Sequence, residues 1–351
     1  MNILEPELVW VDGRCYRFFD SNVWSSEETF SPYFEEYNQK DDDIANETMD
    51  LNVIQIDKTN DGKYKHCVLV PKLLHRFIIG FEGGIKRKLE SETHTVIKIP
   101  KIDVNDQIVE IIGSNKSEVI SCRQRIDLLI ESSKDKVPFT HFLAIPLNDE
   151  EIINNFNKFK EEILNNPEIS QNIQEDYFVS AQKLHLTIGM LKLLDDKDKC
   201  KAIDTLNGCV EEVIKPLLNK HKMIQIVIQG LEIMNDDPTK IRVLYAEVVN
   251  NDKLQELVDK IFEYFVDKGI MSVQYTNKVK LHMTLMKTSR LNKRYKGHSR
   301  TSTFSGAKII TKYKNYYFGQ SQLKTINIAE RTEVEIKNAF YNKLVDINLY
   351  N

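Results

Sequence analysis

Residues 137–287 alternate between strand-like and helix-like patterns of apolar positions. Short runs that are apolar at every second residue or throughout predict strands, whereas apolar positions three and four apart predict amphipathic helices. The predicted strands are "THFLAIPL", "LHLTIGML", "IQIVIQGLEIM", "IRVLYAEVV" and "VKLHMTLMK", and the predicted helices cover 149–164, 195–220 and "NDKLQELVDKIFEYFVDKG". Asp195 and Asp252 are expected as N-caps. This order predicts two similar halves, an internal repeat closed around a shared cleft.

A shorter series of elements comes before this region, within residues 61–134. The pattern predicts a strand that includes Cys67, a short helix ended by Gly80 and a second helix after Gly84. Two strands, "TVIKI" and "QIVEII", and a long amphipathic helix over 116–133 follow. The predicted order is β-α-α-β-β-α, and the chain as a whole is expected to be an α+β protein.

The stretch Gly80-Phe81-Glu82-Gly83 lies between the two short helices. With this context it resembles the GxxG loop of a type I KH domain, which clamps the backbone of single-stranded RNA. The resemblance implies that RNA is contacted by Gly80, Phe81, Glu82, Gly83, Lys86 and Arg87. Because the Glu82 carboxylate repels phosphate, two interpretations stay open. One is an RNA-binding KH unit, and the other is a KH unit used for packing or protein binding.

One motif occurs twice, as "KLHLTIGM" and, almost a hundred residues later, as "KLHMTLMK". Side chains alternate between the two faces of a strand, so His185 and Thr187 point to one side and the leucines beside them to the other. The same spacing groups His282 with Thr284. Each strand is therefore expected to bury its apolar side and to present a histidine and a threonine to the cleft.

The paired motifs resemble those of the two-histidine phosphoesterase superfamily, which includes bacterial RNA ligase-like proteins and cyclic phosphodiesterases. Phosphodiester cleavage needs a base, an acid and donors to the nonbridging oxygens, and imidazole, with a pKa of about 6.5, suits both proton transfers. The resemblance implies catalysis by His185 and His282, with phosphate held by Thr187 and Thr284. No metal or other cofactor is expected. Which histidine is the acid stays open.

Other residues are weaker candidates for the same chemistry. His141 begins a predicted strand and has two interpretations, a cleft residue or an exposed strand end, whereas His75 and His94 are expected to be structural or RNA-facing. A basic stretch follows the second motif, and we expect it to contact RNA through Arg290, Lys293 and Arg294. The next stretch, "KYKNYYFG", offers either stacking rings or an ordinary strand after a solvated loop.

Composition agrees with a soluble globular chain of two domains. The sequence has 351 residues, 41% of them hydrophobic and 28% charged, and a net charge of -4. No stretch resembles a secretory signal or a membrane span, and five cysteines without a CxxC pair argue against a disulfide framework. Residues 25–60 are acidic and are expected to be a disordered linker, and residues 1–24, with Trp10 and Tyr16, are expected to dock a partner or to pack on the protein's own core.

A KH unit at 61–134 followed by a two-histidine phosphoesterase at 135–351 resembles a family of activating signal cointegrator complex subunits. Matching stretches include "LEPELVWVDGRCYR", "PFTHFLAIPL" and "GLEIMNDDP". The resemblance implies a nuclear protein that partners the large helicase subunit of that complex in transcription coactivation and the response to DNA alkylation damage. The expected activity is metal-independent cleavage of RNA ends or cyclic phosphates. The alternative is a non-catalytic subunit that binds RNA or nucleotides as a scaffold.

Overall fold

The computed structural model describes residues 8–11, 14–17, 54–101, 107–169, 173–221, 223–272, 278–288, 303–331 and 340–350. Helices and antiparallel sheets are both present, so the expectation of an α+β protein is confirmed. The chain divides into two compact units, residues 1–53 and 54–351. No helix among the described residues is long and apolar enough to cross a lipid bilayer.

The first unit contains an antiparallel hairpin of β1 (Leu8–Val11) and β2 (Arg14–Arg17). In this register Trp10 lies opposite Cys15. The segment expected to dock a partner thus contains regular strand pairing, and its docking role stays a prediction. Residues 25–53 of the expected linker lie outside the described residues.

The second unit begins with a four-stranded sheet covered by three helices. Its elements are β3 (Asp57–Lys58), β4 (Tyr64–Leu69), α1 (Lys72–Ile79), α2 (Gly84–Thr93), β5 (Thr95–Lys98), β6 (Ile108–Gly113) and α3 (Lys116–Ser133), with strand order β3-β4-β6-β5. From β4 onward the order is the expected β-α-α-β-β-α. The short strand β3 lies within the stretch expected to be linker, so regular structure begins ahead of residue 61.

The core of this KH unit lies between the sheet and the helices. Its buried side chains are Val68, Val70, Leu74, Ile78, Leu89, Ile97, Val109, Ile111, Val119, Cys122, Ile126 and Val137. Helix α3 begins with a capping box, in which the Glu118 carboxylate accepts the backbone N–H of Asn115 at 3.1 Å. Val137 joins this core, so the KH unit packs against residues just beyond the expected boundary at residue 134.

The remaining residues form one eight-stranded antiparallel sheet with helices on one face. The elements are β7 (His141–Pro146), α4 (Glu150–Leu164), β8 (His185–Leu191), α5 (Asp196–Cys209), α6 (Lys215–His221), β9 (Gln225–Ile233), β10 (Val243–Val248), α7 (Asp252–Asp267), β11 (His282–Lys287), α8 (Ala307–Tyr313), β12 (Tyr317–Gln322), β13 (Thr325–Glu330) and β14 (Lys343–Asn348). A π-helical turn, Val210–Ile214, joins α5 to α6. Pro216, the second residue after this turn, has no N–H to donate to a helical carbonyl.

The strand order explains how the two motif strands meet. The sheet runs β12-β9-β10-β11-β8-β7-β13-β14, so β11 and β8 are its two central strands. Four strands lie on each side of the line between them, with one histidine motif in each half. The two halves pair where Met283 lies opposite Leu186. This arrangement agrees with the duplicated sheet and helix unit expected from the sequence.

The helix caps follow the sequence closely, with one shift. Asp195 caps α5 as expected, because its carboxylate accepts the backbone N–H of Asp198 at 2.8 Å. Helix α7 is capped by Asn251 instead of the expected Asp252, since the Asn251 side chain accepts the N–H groups of Lys253 and Leu254. Asp252 is the first helical residue, where its negative charge interacts favourably with the helix dipole.

Candidate functional site

The two motifs place their polar residues on the face of the sheet opposite the helices. Along β8 and β11 the histidines and threonines are half-buried, whereas Leu186, Ile188, Met283 and Leu285 are buried in the main core. The alternation predicted from the sequence is therefore confirmed. We call the polar side of these central strands the site face.

The antiparallel register arranges the two motifs as mirror partners. Because Leu186 lies opposite Met283, continuing that register sets His185 beside Thr284 and Thr187 beside His282. Each histidine thus neighbours the threonine of the other motif. Two imidazoles and two hydroxyls converge on the same small area of the site face.

Both imidazoles are held in the same tautomer by the backbone two residues earlier. Nδ1 of His185 is 2.7 Å from the carbonyl oxygen of Lys183, and Nδ1 of His282 is 2.9 Å from that of Lys280. A carbonyl oxygen only accepts, so Nδ1 carries the proton in each ring. The Nε2 atoms are therefore the ones with a lone pair in the neutral rings, available for proton transfer.

Burial keeps both histidines neutral near pH 7. It lowers the pKa of His185 to about 4, against the opposing effect of the hydrogen bond to Lys183, and smaller lowering effects come from the Lys287 ammonium and from His282 when that ring is protonated. Burial also lowers the pKa of His282, with a smaller contribution from the Lys280 ammonium. In the absence of an anion, both rings are therefore poised as proton acceptors.

We expect the depressed pKa of His185 to make stability depend on pH. The unfolded chain binds a proton to this residue below a pKa of about 6.5, whereas the folded chain does so only near pH 4, so stability is lost as the pH falls between these values. The loss reaches up to about 3 kcal/mol. Urea unfolding from pH 7 to pH 4.5 should show this decline in the wild type and a shallower one in His185→Gln. Parallel curves for the two proteins would contradict the assignment.

His185 is surrounded by aromatic rings. Its imidazole centroid lies 4.9 Å from that of Phe142 on β7 and 5.5 Å from that of Tyr341, which meets it edge-on. Phe340 lies at 6.3 Å, also edge-on. Phe142 belongs to a small apolar cluster with Ala144 on this side of the sheet. The aromatic wall removes water from the imidazole, which is the main cause of its low pKa.

His282 has a more polar environment. Its ring lies 5.1 Å from that of Tyr245 on β10, and the Lys280 ammonium lies 5.2 Å from the centre of the same tyrosine ring. Glu247 lies directly opposite His282 in the β10–β11 pair. Contact with the Tyr245 hydroxyl raises the pKa of Lys280, so this lysine is charged beside the site. The site face therefore combines cations with neutral imidazoles.

The threonine hydroxyls complete the set of donors. The side-chain hydroxyls of Thr187 and Thr284 make no hydrogen bond within the described part of the chain. Both hydroxyls are thus available for an oxyanion. No group of three or more His, Cys, Asp or Glu side chains among the described residues is arranged to hold a metal ion.

Sequence reasoning identified the two histidines and two threonines but missed their aromatic and cationic neighbours. Phe142, Tyr245 and Tyr341 come from strands and a segment far apart in the chain. The lysines had a visible signal, because the repeat reads Lys-Leu-His-x-Thr and both copies include the lysine. The tyrosines had no visible signal in the sequence, since their approach to the imidazoles depends on tertiary packing.

The three other candidate histidines do not join the site. His141 is buried with Nδ1 2.8 Å from the Thr140 hydroxyl, and it lies on the opposite side of β7 from Phe142. His75 is buried in the KH unit and hydrogen-bonds the carbonyl of Val70 at 2.9 Å. His94 ends α2 in the left-handed conformation with φ 52°. The interpretation of His141 as a cleft residue is therefore wrong, because strand alternation points it away, and the alternative of an exposed strand end is wrong as well, because the side chain is buried.

The stretch after the basic segment contributes mainly to the core. Tyr313 and Phe318 are buried, and Tyr316 packs against both, so these rings are unavailable for stacking on bases. Lys312 and Tyr313 belong to α8, and Tyr317 begins the strand β12 and is 41% exposed. Arg290, Lys293 and Arg294 lie outside the described residues, and their contact with RNA stays a prediction.

The KH loop has the tight geometry that its glycines permit. Gly80 has φ 72° and Gly83 has φ 77°, and an added Cβ at Gly80 would lie 2.6 Å from the Ile85 side chain. Between them Glu82 also has a positive φ, 47°, which strains a residue with a Cβ. Phe81 is 88% exposed at the tip.

Two basic residues follow this loop at the start of α2. The Lys86 ammonium is 3.5 Å from Glu90, and Arg87 is exposed with its guanidinium near Gly83. The structure thus brings together all six KH residues that sequence reasoning singled out. The loop presents an exposed ring and a carboxylate at its tip, with cations behind them.

Two protein-family models match consecutive parts of the chain. The model of the AKAP7 2'5' RNA ligase-like domain matches residues 139–349. The model of the KH domain matches residues 65–128. The first covers the eight-stranded sheet, and the second covers the GxxG loop with its flanking helices.

Curated relatives extend the similarity over nearly the whole chain. Activating signal cointegrator 1 complex subunit 1 of Mus musculus is 34% identical over 358 residues, covering 95% of this chain and 96% of that protein. An uncharacterized protein of Schizosaccharomyces pombe is 27% identical over 216 residues, covering 61% of this chain and 98% of its own.

Solved structures similar to each part are also known. Escherichia coli LigT in complex with 3'-AMP is 13% identical, with a TM-score of 0.36, and the match covers 61% of this chain and 99% of LigT. The first type I KH domain of human vigilin is 28% identical, with a TM-score of 0.20, over 30% of this chain and 95% of that domain.

Proposed function

Because the chain belongs to the family of activating signal cointegrator 1 complex subunit 1, with a KH domain ahead of a 2'5' RNA ligase-like domain, we propose that it is an RNA-binding phosphodiesterase. Its substrates are RNA ends or 2',3'-cyclic phosphates, and the reaction needs no metal ion. The residues that carry the chemistry are His185, Thr187, His282 and Thr284.

The observation that supports this proposal most strongly is the matched pair of imidazoles. Each ring donates Nδ1–H to a backbone carbonyl, and each leaves Nε2 for chemistry on the same face. With a cyclic phosphate, one Nε2 takes a proton from the attacking water as its oxygen bonds to phosphorus. The other ring, protonated, donates to the ribose oxygen as its bond to phosphorus breaks. The threonine hydroxyls donate to the nonbridging oxygens.

An incoming phosphate supplies the charge that this mechanism requires. Catalysis needs one imidazolium, whereas burial keeps both rings neutral in the free protein. A phosphodiester anion close to both rings favours the charged form and raises their pKa values. Substrate binding therefore protonates one histidine, and the other stays neutral as the base.

The same low pKa values support the alternative function. If the bound anion does not raise the pKa of either ring enough for it to take up a proton from water, the site binds a phosphate without cleaving it. The chain would then be a scaffold subunit that recognises RNA or nucleotides. Retained phosphate-dependent binding with no turnover on any RNA end would select this function.

We propose that the KH domain holds the RNA strand through the GxxG loop and the cations behind it. Glu82 opposes this contact, because its carboxylate lies at the exposed tip beside Phe81. We expect Glu82→Gly to tighten binding of single-stranded RNA by about fivefold, since one repulsive charge near phosphate costs roughly 1 kcal/mol.

A second consequence of Glu82→Gly is higher stability. Glycine accepts the positive φ of 47° without strain, so we expect a gain of about 1 kcal/mol. Glu82→Gln separates the two effects, because it removes the charge and keeps the strain. Fluorescence anisotropy with a labelled RNA measures binding, and Glu131→Gln on α3 is the control. Weaker RNA binding by both Glu82 variants would contradict the repulsion between the Glu82 carboxylate and the RNA phosphates.

Family membership also supports a place in a larger assembly. We propose that the chain is a nuclear subunit of the activating signal cointegrator complex, bound to its large helicase subunit. There it acts in transcription coactivation and the response to DNA alkylation damage. Co-purification of the helicase subunit with the tagged chain from nuclear extract tests this assignment, and its absence would restrict the proposal to the RNA chemistry.

The activity is tested with a panel of short single-stranded RNAs. The RNAs end in a 2',3'-cyclic phosphate, a linear 3'-phosphate, a 3'-hydroxyl or a 2',5' linkage, and the full chain is assayed with EDTA. Turnover of at least one of these RNAs in EDTA is the expected result, and it names the substrate class. Turnover only when a divalent metal is restored would overturn the proposed mechanism.

A further inference from the structure

The lysine two residues ahead of each histidine has two contacts with the site. In the first half, the Lys183 carbonyl accepts the Nδ1–H of His185 at 2.7 Å, and its ammonium lies 4.9 Å from the centre of the Tyr341 ring. The Tyr341 ring in turn meets His185 edge-on, at 5.5 Å and an interplanar angle of 90°. These residues form a closed group, the first trio.

The second half contains the same arrangement. The Lys280 carbonyl accepts the Nδ1–H of His282 at 2.9 Å, and the Lys280 ammonium lies 5.2 Å from the centre of the Tyr245 ring. Tyr245 meets His282 in a T-shaped contact, with centroids 5.1 Å apart and planes at 62°. This group is the second trio.

The tyrosines of the two trios lie in unrelated parts of the fold. Tyr245 lies on β10, directly opposite Thr284 on the neighbouring strand. Tyr341 lies just ahead of β14, at the far end of the other half of the sheet. The lysines come from the sequence repeat, but the tyrosines do not. Tertiary packing thus places a tyrosine in contact with both a lysine and a histidine in each half of the sheet.

Burial makes the lysine contact significant in the first trio. Lys183 is only 6% exposed, and an ammonium removed from water is unfavourable unless other groups compensate it. The face of an aromatic ring supplies part of that compensation through a cation–π contact. The ammonium therefore attracts the ring, and the ring plane limits how the imidazole can tilt.

We infer that in each trio the tyrosine is a positioning residue for the imidazole and the lysine is the clamp that holds the tyrosine ring. One hydrogen bond at Nδ1 leaves the imidazole free to swing about that contact. The edge of the tyrosine ring limits this rotation, in the first trio together with the Phe142 ring 4.9 Å away, and so helps to fix where Nε2 points. Placement matters because a displacement of about 1 Å at a reacting group lowers a rate by roughly a hundredfold.

Each imidazole faces other charged and titratable groups, and these groups also influence the histidine pKa values that a test would measure. His185 faces Lys287 and His282 from β11 and, from the segment just ahead of β8, Lys183. His282 has Glu247 opposite it. A substitution at Tyr341 keeps all of these groups and releases only the Lys183 ammonium from its contact with the ring, so Tyr341 is the cleaner target. Tyr245 is 1% exposed, and its replacement risks misfolding.

The test measures histidine titration in the full chain, with selectively labelled histidine followed by NMR. The variants are Tyr341→Ala, Tyr341→Phe and, as a control, Tyr350→Ala, which removes an exposed tyrosine from the same part of the chain. We expect Tyr341→Ala to raise the pKa of His185 by about one unit, because water enters where the ring was. Tyr341→Phe keeps an aromatic ring at this position, so the pKa of His185 should stay unchanged. His282 should titrate unchanged in all three variants.

Two results would overturn the inference. An unchanged pKa of His185 in Tyr341→Ala would show that the ring does not shield the imidazole. Equal shifts of both histidines would show a general loosening of the sheet instead of local positioning. A structural role alone would lower the melting temperature without separating the two histidines.

A second measurement concerns the clamp and rests on the proposed phosphodiesterase activity. We expect Lys183→Met and Tyr341→Ala to lower kcat by about ten- to a hundredfold with little change in KM, and Tyr341→Phe to restore it. A fall in affinity with kcat unchanged would instead assign Lys183 to substrate binding. If the wild type cleaves no RNA, the proposed function fails, and the NMR titration still decides the positioning role.

Discussion

Replacing either His185 or His282 with alanine is expected to lower kcat/KM for RNA cleavage by about a thousandfold. In the proposed mechanism each ring performs one of the two proton transfers, so neither ring can replace the other. Binding of a product nucleotide should weaken only a few-fold, because the threonine hydroxyls and the remaining cations still hold the phosphate. Single-turnover cleavage in EDTA, together with nucleotide binding by calorimetry, separates these effects.

The variant that lacks both His185 and His282 tests whether the two rings act together. Residues that act as a unit are not additive, so the double variant should be about as inactive as each single one. His94→Asn is the matched control, because asparagine tolerates the left-handed conformation with φ 52° at this exposed position. Loss of activity in only one of the single variants would contradict a mechanism that uses both rings.

Replacing Gly80 with alanine is expected to destabilise the KH domain by about 3 kcal/mol. Gly80 has φ 72° and ψ -178°, a region that residues with a Cβ avoid, and the new Cβ would lie 2.6 and 2.8 Å from Ile85 side-chain atoms. Ile85 is at the start of α2, so relieving the clash moves the helix that completes the GxxG loop. RNA binding should fall with stability, which thermal unfolding and anisotropy measure in parallel.

A second glycine separates backbone strain from steric clash. Gly62 has φ 79° but has no atom within 4 Å of an added Cβ, so Gly62→Ala isolates the backbone effect. We expect a loss of about 1 kcal/mol there and normal RNA binding. Equal losses at the two positions would contradict the clash with Ile85, and normal RNA binding by Gly80→Ala would contradict the role of the loop.

The elements that could be predicted from sequence are those with strong local periodicity. Helix α3 was expected over 116–133 and occupies Lys116–Ser133, because its apolar spacing and its capping box both act locally. The phase of the histidine motifs was equally clear, since alternation along a strand depends only on residue number. Strand β3 was missed because two residues carry no periodic signal, and only pairing with β4 defines them.

The parts of the site that sequence did not predict depend on how distant segments meet. Nothing in the order of the strands indicates that β11 and β8 are central neighbours, so the approach of the two motifs was a hypothesis from their repetition. Tyr245 and Tyr341 reach the histidines only through the completed sheet. His141 was assigned to the cleft as one alternative, because position along the chain does not tell which face a strand's first residue takes.

The N-cap of α7 is another feature that the local sequence does not determine. Asn251 and Asp252 are both good capping residues, and they are adjacent. The choice of Asn251 is accompanied by a second contact, because its amide nitrogen also donates to the carbonyl of Gln225 at 2.7 Å. A tertiary hydrogen bond thus distinguishes two cap positions that sequence cannot separate.

The central claim is that the two histidine motifs form one phosphate-binding site. Its most direct measurement is an NMR titration of both labelled histidines with a nucleoside 3'-monophosphate. We expect the pKa values of His185 and His282 to rise together, with the same dissociation constant, because one anion lies between the two rings. A response from only one of them, or two responses with different dissociation constants, would contradict a shared site.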